Sequence, residues 1–140
     1  MLFPKKVKHR KWQRGRKNFS KVRRETRGTE VSFGSFGLKA LARSRIRAGQ
    51  IEAARKALSR SVAKGGKMWI RVFPDRPYTQ KAAEVGMGKG KGDVQGYEIE
   101  VLPGRVLFEV DGIAPEAAKH GLRKAGAKLP VKTKIVAREF

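Results

Sequence analysis

The chain contains no cysteine, which removes disulfides, thiolate nucleophiles and cysteine-bearing zinc sites from consideration. Histidine is almost as scarce, and His9 and His120 lie in unrelated segments. No apolar run approaches the roughly 18 residues needed to span a bilayer, and the amino terminus lacks the apolar core of a signal peptide. A reducing, cytoplasmic setting with no membrane partner is the expectation, although an acid-poor, arginine-bearing start also fits an organelle transit peptide. Acids are few as well: 12 Asp and Glu stand against 34 Lys and Arg, a formal net charge of +22. Such a domain repels itself in isolation and calls for a polyanionic partner. Nucleic acid fits best, because regularly spaced phosphates neutralise many cations at once and the released counterions drive binding.

What is present is a chain of 140 residues, the size of one domain, with 39% hydrophobic residues, enough for a core of modest size. The charge is uneven. Residues 1–28 hold twelve Lys or Arg and a single acid, Glu25. The apolar residues among them keep neither a helical nor a strand period, so the segment reads as an extended arm rather than a folded element. Trp12 and Phe19 sit among the cations, and aromatic rings stack on unpaired bases while Arg and Lys hold phosphates. The arm's RNA-binding candidates are Lys5, Lys6, Lys8, Arg10, Lys11, Trp12, Arg14, Arg16, Lys17, Arg23 and Arg24. A solvated tail is the plainer alternative.

From residue 29 onward, apolar periodicity predicts one α+β domain over 29–140. Residues 31–38 read as a strand in which Gly34 and Gly37 mark a bulge or a close backbone approach. Residues 48–64 read as a helix with Ile51, Ala54, Leu58 and Val62 on one face. Lys56, Arg60 and Lys64 lie on the other as RNA-binding candidates, and Gly65-Gly66 ends the helix. Residues 67–73 alternate as a strand, with Lys67 and Arg71 as RNA contacts; Trp69 and Phe73 on the same face are core or stacking residues. Residues 97–102 and 105–111 read as a hairpin about Pro103-Gly104, pairing Val101 with Val106, Ile99 with Phe108 and Tyr97 with Val110. Its other face then gathers Glu98, Glu100 and Glu109, read as a carboxylate face turned away from RNA rather than a metal or acid/base site. Pro115 opens a second helix bearing Ala118, Leu122, Ala125 and Leu129, Pro130 stops it, and residues 131–138 close the chain as a strand. The expected order is β-α-β, a long loop, then β-β-α-β, a two-layer sandwich.

The expected loop, residues 74–96, exceeds an ordinary connection, with the basic candidates Arg76 and Lys81 at its approach. At its centre Met87, Gly88, Lys89, Gly90, Lys91 and Gly92 follow Gly86, so the backbone can approach another molecule while two lysines meet phosphates. It matches neither GxxxxGK[ST] nor GxGxxG, and a flexible linker is the alternative. No nucleophile elbow, metal-binding helix or paired-carboxylate motif is present, so the expectation is a protein that is not an enzyme and uses no cofactor, metal or small-molecule substrate. A basic ribonuclease is the enzyme-class alternative. An RNA chaperone or general nucleic-acid-compacting protein is the binding-class one.

Several segments together carry a resemblance: MLFPKK at 1–6, TEVSFGSFGLKAL at 29–41, QIEAARKAL at 50–58, GGKMWIRVFPDRPYT at 65–79, MGKGKG at 87–92, PGRVLFEVDG at 103–112 and KLPVKTK at 128–134. The chain resembles the bacterial large-subunit ribosomal protein sixteen family, which includes archaeal and eukaryotic protein ten-e. The resemblance implies an α+β fold of the hammerhead type and binding to large-subunit rRNA beside neighbouring ribosomal proteins. It also implies a part in organising the A site, with the arm and the glycine-lysine loop close to tRNA. Two features depart from the family's pattern. Gly86 stands where many relatives carry an arginine that is hydroxylated in part of the family, and residues 14–28 form a somewhat longer arm.

Overall fold

The computed structural model describes residues 1–140 apart from Arg16, Lys17, Ala63, Lys64 and Phe140. After a short 3-10 turn at Phe19–Lys21 within the arm expected to be extended, its elements are the strands Phe36–Ala40 (β1) and Ser44–Arg47 (β2), the helix Ala48–Ser61 (α1), the strands Lys67–Ile70 (β3), Arg76–Gln80 (β4), Asp93–Val101 (β5) and Val106–Asp111 (β6), the helix Pro115–Ala127 (α2) and the strand Thr133–Ala137 (β7). They form two antiparallel sheets, ordered β3-β6-β1-β7 and β2-β5-β4. The α+β class expected from the sequence holds.

Both helices arise from their apolar stripes. Ile51, Ala54 and Leu58 of α1 are buried, as are Ala118, Leu122 and Ala125 of α2. At the start of α1 the Gln50 side chain accepts the Arg47 N–H at 2.9 Å, satisfying a donor that the helix leaves unpaired. The helix stops at Ser61, earlier than expected, because Val62 turns extended and packs against the core. The helices pack on each other, α1 also against β2 and β5, α2 also against β1, β6 and β7, so each sheet carries one helix and the helix pair joins them.

The expected hairpin is only half present. The turn is there: Gly104 has φ +102° and the Arg105 N–H donates to the Leu102 carbonyl at 3.2 Å, as a type II turn requires. The strands on either side of it, however, enter different sheets. Ile99 faces Ile46 of β2, whereas Phe108 lies between Leu38 of β1 and Ile70 of β3. β6 is buried at five successive positions, Val106 to Val110, and needs apolar partners along both edges. β1 and β3 supply them, and the end of β1 wedges in at the turn, where Gly104 N donates to Ala40 O and Ala40 N to Arg105 O, both at 2.8 Å.

Other boundaries shift for equally local reasons. β1 starts at Phe36 rather than residue 31, since residues 34–35 lie directly on β6; a Cβ at Gly34 would sit 2.4 Å from the Val110 carbonyl oxygen. The expected strand over 67–73 ends at Ile70. The supposed long loop contains β4 and the start of β5, which leaves residues 81–92 as the connection. β4 carries Pro77, tolerated because β4 is an edge strand.

A candidate nucleic-acid interface on the three-stranded sheet

Strand alternation gives the β2-β5-β4 sheet two unlike faces. Ile46, Val101 and Pro77 turn inward and are buried. On the other face Arg45 lies opposite Glu100, and Glu98 lies between Arg47 on one side and Arg76 on the other. Glu100 is paired by Arg43 at 2.8 Å, Arg76 at 2.9 Å and Arg45 at 3.7 Å. These side chains are mostly enclosed, so the pairing acts in a medium of lower effective dielectric than water and fixes the guanidinium planes. Four arginines meet two glutamates here, which leaves the face positive after pairing.

The arm lies over this face. Arg76 bridges Glu100 and the chain above it, donating to Gln13 O at 2.9 Å and Arg14 O at 3.1 Å, while Arg45 donates to Arg14 O at 3.1 Å. The Arg76 guanidinium stands 5.6 Å from the Trp12 ring centre. Lys91, at the foot of the glycine-lysine loop, donates to Trp12 O at 2.6 Å, and Lys11 returns a 3.4 Å bond to Lys91 O. Arm, loop and sheet therefore meet at one place, a cleft of ≈ 220 Å³ lined by Trp12, Arg14, Arg47, Arg76, Tyr78, Lys91 and Glu98 among others.

The sequence-predicted contacts fall into three groups. Lys5, Lys6, Lys8, Arg10, Arg14, Arg23 and Arg24 are exposed along the arm, and Lys56, Arg60 and Lys67 are exposed on the domain. Lys11, Trp12, Arg76 and Lys91 converge at the cleft, and Lys81 donates to the Gly88 carbonyl, closing the loop on itself. Met87 and Lys89 are exposed at the loop's far side, Lys89 at φ +61° between Gly88 and Gly90. Arg71 belongs to none of these groups: its guanidinium reaches Glu109 at 2.7 Å and lies 4.9 Å from the Phe33 ring centre. Trp69 stacks on the same Phe33. Arg16, Lys17 and Lys64 lie outside the described residues, as does the side chain of Phe19.

The outward carboxylate face expected from the hairpin does not exist. Glu109 sits in the four-stranded sheet at 0% exposure, where it also accepts the backbone N–H groups of Ser32 at 2.6 Å and Phe33 at 3.1 Å. Glu98 and Glu100 sit in the other sheet among arginines. Two carboxyls elsewhere are held below their ordinary values, Glu52 chiefly by its bond to Arg55 and Asp111 chiefly by the Ser35 hydroxyl and then the Gly112 N–H. Among the described residues no group of three His, Cys, Asp or Glu gathers as metal ligands, and no helix is long and apolar enough to cross a membrane.

Sequence reasoning missed Arg43, Arg45, Arg47, Tyr78 and the cleft-facing role of Glu98. A signal was present. Arg43, Arg45 and Arg47 alternate at period two, the spacing of one strand face, but with Ile46 as the principal apolar residue between them the strand itself was not evident.

The family model described as Ribosomal protein L16p/L10e matches residues 4–136, nearly the whole chain, and the chain belongs to that family.

Proposed function

Starting from a structural protein of the large ribosomal subunit, we propose that this chain binds large-subunit rRNA through the arm-covered face of the three-stranded sheet and through the exposed cations of the arm and of α1. The observation that carries the reading is the arginine face itself. It holds more cations than its two glutamates neutralise, and it is joined to an arm that supplies further exposed Lys and Arg. Phosphate is the ligand that such planar, bidentate donors match. In the same reading residues 1–28 act as the RNA-tracking arm of the domain 29–140, and the protein works within the cytoplasmic ribosome as a scaffold rather than a catalyst.

The glycine-lysine loop extends the proposal to the A site. Residues 81–92 are tied at their base to the arm through Lys91, while Met87 and Lys89 are exposed. A loop with glycines on both sides of Lys89 presents backbone and cation with little steric cost, which suits contact with a tRNA backbone.

Sedimentation of a tagged copy through a sucrose gradient tests the first part. Co-migration with large subunits that withstands moderate salt supports it, and a broad distribution over many RNAs supports an extraribosomal RNA chaperone instead. For the loop, ribosomes fully occupied by the Lys89→Ala, Lys91→Ala double variant should bind A-site tRNA more weakly. Normal tRNA affinity and normal peptide-bond rates would reduce the loop to a linker.

A further inference from the structure

Resting on the RNA-binding reading, we propose that the cleft where the arm crosses the three-stranded sheet receives a single unpaired nucleotide of the RNA, with guanine the base it takes best. Its volume, ≈ 220 Å³, lies below the roughly 300 Å³ at which pockets begin to enclose drug-sized ligands and suits one flat base. The walls are planar. The Arg47 guanidinium lies 4.6 Å from the Tyr78 ring centre, and Arg76 stands over Trp12. Tyr78 is held flat across the neighbouring strand because Gly96 leaves it room, a Cβ there falling 3.0 Å from the ring. Indole and guanidinium planes of this kind are the surfaces on which extruded bases stack. Trp12 remains 45% exposed, with ring surface available to an occupant.

Glu98 decides what the occupant must be. Its residue is only 6% exposed and it lines the cleft, yet among the described residues no hydrogen-bond donor or ion-pair partner meets its carboxylate. Its oxygens are not sealed within the protein but open to the cleft, where a ligand that brings donors can meet them. Phosphate cannot, being an acceptor and an anion. The RNA backbone must therefore lie at the cationic rim formed by Arg14 and Lys91 and the base must point inward. A carboxylate only accepts hydrogen bonds, and guanine offers two adjacent donors, N1–H and the 2-amino group, matched to its two oxygens. Cytosine and adenine each offer one amino group on that edge. Uracil presents a single N–H between two carbonyl oxygens, which repel the acid.

The experiment uses the full chain and two labelled RNA hexamers, hexauridylate and the same strand with one internal guanosine, followed by fluorescence anisotropy over a salt series. The wild type should bind the guanosine-bearing strand about tenfold more tightly, the discrimination of one good bidentate contact. Glu98→Gln, which replaces one acceptor by a donor, should reduce the ratio to below about twofold. Trp12→Ala, on the arm and outside the sheet, should lower it as well, and this variant carries the test if Glu98→Gln does not fold. Equal binding of the two hexamers with a steep salt dependence would overturn the nucleotide pocket and leave the RNA-binding reading intact. So would an undiminished guanosine preference in Trp12→Ala. Absence of salt-dependent binding to either strand would overturn both.

Discussion

The four-stranded and three-stranded sheets both set arginine against glutamate across neighbouring strands, but in different ratios and with different surroundings. In the first, Glu109 is completely enclosed and receives one guanidinium and two backbone N–H groups, so its acceptors are met by groups the fold holds in place. In the second, Glu100 is shared by three arginines near the surface, Arg47 stacks on Tyr78, and the surplus guanidiniums hold the arm by its carbonyls. A balanced, sealed pair contributes a fixed point in the core. An unbalanced, half-covered set of the same residues contributes a surface that still attracts anions.

Glu109→Ala should separate the two sheets most sharply. It strands Arg71 and two backbone donors, and the expected loss is about 3–5 kcal/mol in denaturant unfolding. A loss no larger than that of an ordinary surface change would mean the pair is not holding the four-stranded sheet.

Deleting residues 1–15 removes Lys5, Lys6, Lys8, Arg10, Lys11 and Arg14 from the other side of the comparison. The slope of log affinity for RNA against log salt should flatten by about 4–5, at roughly 0.7–0.9 per lost phosphate contact. The cooperative thermal transition should persist, since among residues 1–15 Leu2 is the hydrophobic residue that packs against the core; its disappearance would show that the arm is part of the fold. Glu100→Ala should do less to stability than Glu109→Ala, about 1.5–3 kcal/mol for hydrogen bonds to a charged partner. RNA affinity should rise as three arginines are released. A fall in affinity would mean that arginine placement, and not net charge, governs binding.

Single changes in the loop should be smaller still. Lys89→Ala and Lys91→Ala are each expected to alter stability by less than about 0.5 kcal/mol. Only Lys91→Ala should loosen the arm, read as increased protease cleavage near Trp12, because Lys91 alone of the two donates to the Trp12 carbonyl. Smallest of all is Asp111→Asn. The carboxyl is held below its ordinary value, so its ionised form stabilises the fold at neutral pH and that contribution is lost as pH falls through the lowered value. The gap between variant and wild type in thermal unfolding should therefore close as the pH drops below about 3.9. A gap independent of pH would place the effect in packing.

Legibility followed the length scale of each signal. The stripe Ile51, Ala54, Leu58 announced α1, Pro115 announced the start of α2, and Pro103-Gly104 announced a turn that has the expected hydrogen bond. β2 and β4 were invisible because their outward residues are arginine and tyrosine, and because Pro77 interrupts the usual strand pattern. Of the cleft, Trp12, Arg76 and Lys91 were legible as cations or as an aromatic among cations. Arg47, Tyr78 and Glu98 acquire their meaning from pairings between strands distant in sequence, Arg47 lying opposite Glu98, 51 residues on.

By itself the sequence determined the helices, the turn, the excess of positive charge and, through its motifs, the ribosomal family. These depend on composition and on periods of two to four residues. Only the tertiary structure decided that the strands flanking Pro103-Gly104 part into separate sheets, that Glu109 is sealed with Arg71, and that the arm lies on an arginine face with Glu98 beneath it. The physical reason is that alternation states which residues share a face of a strand, but not which strand lies alongside. That choice belongs to β6, whose five buried positions demanded β1 and β3 as neighbours and left β5 to pair with β2 and β4.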